Sequence, residues 1–160
     1  MRSVTPLKTV LRAAALVVLV VAVAACSRNG TGVGNLAAGS SAPGSQQEFL
    51  VTVGDRVFFE TDSSNLTPTA QQTLDKQAAW LNRYSNYRIL IEGHADERGT
   101  REYNIALGAR RASVVVNYLQ SRGVDSRRIT SKSFGKERPV AICNDISCWS
   151  QNRRAVTVVQ

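Results

Sequence analysis

The sequence predicts an α+β fold: a two-layer α/β sandwich in the order β-α-β-α-β-β, with both helices on one face of the sheet. Three observations lead there. Two long stretches carry apolar residues at helical spacing between recognisable start and stop signals. Four short stretches have strand character, and the last alternates apolar and polar residues. Everything before residue 48 of the 160 lacks the mixed composition of a packed domain.

The elements follow in order. "DRVFFE" (55–60) is the first strand. Thr67 is an N-cap and Pro68 takes the first helical position, where its fixed φ fits and its missing N–H costs nothing. Leu74, Ala78 and Leu81 mark that helix's buried side. "YRILIEG" (87–93) is the second strand. A longer helix begins near Arg101 and ends at Gly123, with Ala109, Ala112, Val116 and Leu119 along one face. "RITSKSFG" and "RRAVTVVQ" supply the last two strands. There is no internal repeat, and no strand series long enough for a membrane barrel.

Residues 1–25 read as a signal peptide. "MRSVTPLKTVLR" carries three positive charges and no acid, and Ala13–Ala25 form an uninterrupted apolar run of thirteen. That run falls short of the roughly 20 residues a spanning helix needs. "VAAC" resembles a lipobox, the processing site of bacterial lipoproteins, which makes Cys26 the lipidated first residue of the mature chain. Several acyl chains there would anchor stably, since each buried CH₂ contributes about 0.8 kcal/mol. Ser27 follows; in the sorting pattern this resembles, the absence of aspartate favours the outer membrane. Residues 26–47, rich in Gly, Ser and Ala, form a tether with an r.m.s. span of about 25 Å, and residues 48–160 form the domain.

The formal charge is +8. Removing residues 1–25 removes three basic residues and leaves +5. Behind a secretory signal such a balance suits lipid headgroups or a carboxylate-rich wall. No basic stripe interleaved with aromatics supports nucleic-acid binding. With Cys26 lipidated, Cys143 and Cys148 remain in "CNDISC", a close pair that reads as a disulfide in an oxidising compartment. A zinc site needs two further ligands, and the single histidine, His94, is remote in sequence.

"GHADERGTREYNIALGARRA" (93–112) concentrates the remaining chemistry. No nucleophile stands on a sharp strand-to-helix turn, so no catalytic residue, metal or cofactor is expected. His94 is expected to pack and hydrogen-bond at the strand's end. Asn104, Leu107 and Arg111 share a helical face, whereas Arg110 points about 100° away. Asp96 and Arg111 can flank one pocket. Spacing leaves two readings open: the two pair with each other, or they hold the ammonium and carboxylate of an α-amino-acid zwitterion. "NRRAV" (152–156) is read as a strand-edge arginine pair making structural ion pairs.

"IEGHADERGTREYNIALGARRA", with "VFFETDSSNL" upstream and "YLQSRGV", "SFGKERP" and "NRRAV" downstream, resembles the OmpA-like peptidoglycan-binding domain over residues 50–160. The resemblance implies that Asp96 and Arg111 bind the free D-centre of diaminopimelate in the wall's stem peptide, with Asp62 as the polar residue of the first-strand motif. Family members often have phenylalanine where this chain has Thr61. With the lipobox and tether, the chain resembles the wall-binding lipoproteins of the Tol-Pal system. That implies peptidoglycan and TolB as partners, anchorage in the outer membrane with the domain in the periplasm, and a role in cell division. The rivals are another OmpA-like wall anchor without a TolB role and an enzyme acting on the wall. A flagellar stator subunit shares the domain type but needs an uncleaved spanning helix. On this reading Asp96→Ala and Arg111→Ala each abolish wall retention while the domain stays folded.

Overall fold

The computed structural model describes residues 41–160; the signal segment, Cys26 and most of the tether lie outside them. A four-stranded sheet has the order β1-β4-β2-β3, with β1 at Arg56–Phe58, β2 at Ile89–His94, β3 at Ile129–Gly135 and β4 at Arg154–Val159. β2 and β3 run parallel, and β4 is antiparallel to both its neighbours. A parallel pair needs a crossover, which α2 (Arg101–Ser121) supplies. The helix α1 (Pro68–Arg83) joins β1 to β2, and its start is capped as expected, Thr67 accepting from the Ala70 N–H.

Leu74, Ala78 and Leu81 of α1, Ala112, Val115 and Leu119 of α2, and Val57, Ile89, Ile91 and Ala155 of the strands form one apolar cluster. The buried side of α2 is turned from the expected one. Ala112 and Leu119 are buried as expected and Val116 packs partly buried against the core, but Ala109 is exposed and Val115 is the valine fully buried there. The cause is Gly108, which lies backbone to backbone on β2: a Cβ on Gly93 would stand 1.9 Å from the Gly108 carbonyl oxygen, and one on Gly108 2.4 Å from Ser133 Oγ. This close approach sets the helix on its Gly108–Ala112–Val115 side and carries its first turns over the end of β2.

Two elements were not expected. A short helix, α3 (Ile146–Asn152), precedes β4, with Asp145 accepting from the Ser147 N–H as its cap. Cys143 and Cys148, Cα atoms 5.6 Å apart, are joined by a disulfide across its start. At the other end, the last residues of the stretch read as tether are held against the domain. Tyr87 donates its hydroxyl to Gly44 O at 2.7 Å, and the Gly44 N–H donates to Glu48, which also accepts from Trp80 Nε1. Trp80 stacks on Tyr87 and meets Phe49 edge-on and Tyr84 at a tilt, which completes this clasp. No helix among the described residues is long and apolar enough to cross a membrane.

Candidate functional site

The turn after β1, the segment after β2 and the first turns of α2 meet around a pocket of about 240 Å³. Asp62, Asp96, Asn104, Leu107 and Arg111 all line it, together with Thr61, Arg98 and Tyr103. The five residues singled out from spacing and motif are therefore brought together from three elements. Arg110 is exposed beside the Tyr103 ring and does not line the pocket. A second, more apolar pocket of about 330 Å³ borders Ala95, Glu97, Lys136 and the disulfide loop at Ile142 and Cys143; Lys136 there is engaged with the Glu97 and Gly99 carbonyls.

Arg111 is fully buried. Its Nε donates to Ser63 O at 2.9 Å, Nη1 to His94 O at 2.8 Å and Nη2 to Glu60 O at 3.2 Å, above the Phe59 ring. The guanidinium so ties the 60–63 turn to the end of β2. A guanidinium has five N–H groups, so two remain, one on each terminal nitrogen. Burial lowers its pKa to about 10, against the raising effect of Asp96 and Asp62, and it stays a cation at neutral pH. Arg111→Ala, expected to leave the domain folded, would therefore also remove these three structural bonds.

Asp96 does not pair with Arg111; its partners are two other arginines. Oδ1 accepts from the Arg98 N–H and Nε, both at 3.2 Å, and Oδ2 from Arg98 Nη2 at 2.7 Å and Arg153 Nη1 at 3.3 Å. Burial pushes the carboxyl up, but these hydrogen bonds outweigh it and hold Asp96 below the ordinary carboxylate range. Arg153 is itself buried and fixed by a bond from Nε to Phe59 O at 3.0 Å. Arg153 thus makes the structural ion pair expected of it, but not at a strand edge, because β4, which it precedes, lies inside the sheet. Its neighbour Arg154, also buried, makes no ion pair among the described residues and instead donates to Arg138 O at 3.1 Å.

The other walls follow from local chemistry. Asp62 adopts φ 53° in the turn after β1, a left-handed conformation that aspartate tolerates better than most residues. Its carboxylate accepts from the Tyr103 hydroxyl, a bond that raises the tyrosine pKa. Asn104 is buried and donates from Nδ2 to Arg98 O at 2.7 Å, fixing the 98–100 turn against α2. His94 packs on Phe134, ring centroids 5.6 Å apart, but neither ring nitrogen has a hydrogen-bond partner, contrary to expectation. Burial and the nearby charges of Arg154 and Arg138 lower its pKa to about 4.

Fold and pocket together define the class: the chain belongs to the OmpA family, whose model matches residues 58–153. Within that class the likeness is to peptidoglycan-associated lipoproteins. The chain is 66% identical over 124 residues to the one from Rhizobium meliloti, a match covering 78% of this chain and 70% of the relative. It is 56% identical over 147 residues to the one from Mesorhizobium japonicum, covering 89% and 88%. The crystal structure of the peptidoglycan-associated lipoprotein from Burkholderia pseudomallei matches with a TM-score of 0.65 at 42% identity, over 66% of this chain and 90% of that one. The C-terminal domain of Helicobacter pylori MotB, 20% identical with a TM-score of 0.62 over 66% of this chain and 84% of that one, shares the fold.

Proposed function

We propose that the chain is an outer-membrane lipoprotein, anchored at Cys26, whose domain binds peptidoglycan non-covalently and carries out no chemistry. The ligand is the zwitterionic D-centre of diaminopimelate in the stem peptide. The observation that carries this reading is the convergence of a buried cation, Arg111, and a buried anion, Asp96, on one small pocket from which they do not neutralise each other. The two unassigned N–H groups of Arg111 suit a carboxylate, and Asp96 with Asp62 suits the ammonium. The names of the relatives support wall binding. A tie between outer membrane and wall, with TolB as a partner during division, extends the reading by resemblance.

The test is retention on isolated sacculi. The mature chain should pellet with them and be released by free meso-diaminopimelate, while lysine at equal concentration should leave it bound. Retention that only salt relieves would make the contact a general one. Co-purification with TolB separates a Tol-Pal component from another wall anchor.

A further inference from the structure

We infer that Arg98 is a built-in occupant of the ammonium subsite, parked on Trp149, which the ligand must displace. This rests on the reading of the pocket as a zwitterion site. A carboxylate offers about four lone-pair positions, and all four on Asp96 are taken, three of them by Arg98. An ammonium therefore cannot reach Asp96 unless a present donor leaves. Arg153 cannot leave: its side chain is 6% exposed and tied to Phe59 O. The Arg98 side chain is 42% exposed and lines the pocket itself.

The resting place is equally defined. The Arg98 guanidinium lies 4.2 Å from the centroid of the Trp149 ring, and Trp149 Nε1 donates to Glu97. Trp149 belongs to α3, whose start the Cys143–Cys148 disulfide spans. Only the side chain has to move. The Arg98 carbonyl is held by Asn104 and its N–H by Asp96, so the turn keeps its shape while the guanidinium swings off. Its departure also exposes the second Asp96 oxygen. In the free domain the same contact gives the buried carboxylate a second charged partner beside Arg153. Arg98 is thus a positioning and gating residue, and the apparent affinity is reduced by the fraction of molecules in which it blocks Asp96.

Two readouts on the full chain test this. In calorimetric titration with free meso-diaminopimelate, Arg98→Ala should bind about two- to fivefold more tightly than the wild type, the range implied by the worth of a partly exposed ion pair. A zwitterion carries no net charge, so loss of a nearby positive charge by itself should largely cancel. In fluorescence, the wild type should change its Trp149 emission on titration. Trp149→Phe should lose that change, since Trp80 is buried in the clasp at the other end of α1. Arg98→Ala should lose it too. Equal or weaker binding by Arg98→Ala, or an emission change that persists in it, overturns the gate while wild-type binding leaves the zwitterion pocket standing. A wild type that binds no diaminopimelate overturns both.

Discussion

Arg111 holds three backbone carbonyls that no other described side chain serves. Glu60 O also accepts from the Ser63 N–H, so Arg111→Ala strands chiefly the His94 carbonyl, whose bond is the buried one, and an unsatisfied buried acceptor costs roughly 1–3 kcal/mol. We expect a loss of about 1–3 kcal/mol in urea denaturation; a change below about half a kcal/mol would show that the His94 carbonyl finds another donor. His94 makes a separate prediction in pH. Its folded pKa is about 4 against an ordinary 6.5, so between those values the unfolded chain binds more protons and stability falls as pH falls. From pH 6.5 to 4.5 the wild type should lose about 2 kcal/mol more than His94→Leu. Asp96, also shifted down, acts in a lower window: its stabilisation is fully present above the ordinary 3.8 and is lost as pH falls below it. Parallel pH profiles for wild type and His94→Leu would mean that the imidazole does not titrate in that range.

Among the elements, those with local signals were legible. The Thr67–Pro68 start of α1 and its apolar spacing are written in a few neighbouring residues, and so is the start of α2 after Gly99. The burial side of α2 was not, because it depends on Gly108 meeting Gly93, a contact across the layers that periodicity does not encode. The seven residues of α3 are too few for a periodic signal, and the disulfide spacing drew attention instead. The pocket was legible where its residues share one motif. Arg153 was not, since it reaches Asp96 from 57 positions away. Arg98 stands two positions from Asp96, and the short Asp-x-Arg spacing was the signal that could have revealed it. The Gly93–Gly108 contact gives a test at this scale. Gly93→Ala should cost about 3 kcal/mol, the upper range for overpacking, and should weaken sacculus retention by shifting Arg111 from the His94 carbonyl. A stable variant that binds normally would mean that the layers have room to part.

At the scale of the whole molecule, we propose an anchor at Cys26, a tether and a wall-binding domain in one chain. Cys26→Ala should leave the outer-membrane fraction and appear soluble in the periplasm; a variant that stays with the membrane would place the anchor elsewhere. The chain's charge of +8, or +5 after loss of residues 1–25, offers a competing explanation for wall binding, because an acidic polymer attracts any basic domain. Adjacent arginines on α2 separate the two. Arg110 is exposed and Arg111 lines the pocket. Arg111→Lys keeps the charge but loses the planar fork that grips a carboxylate and serves the carbonyls. Arg110→Ala loses the charge and keeps the fork. The most direct measurement is therefore sacculus retention of these two variants beside the wild type, at low and moderate salt, with circular dichroism confirming that each is folded. The zwitterion pocket predicts that Arg110→Ala binds nearly as well as the wild type and that Arg111→Lys is lost at both salt concentrations. Normal retention of Arg111→Lys, with Arg110→Ala weakened and salt releasing all three proteins alike, would contradict it.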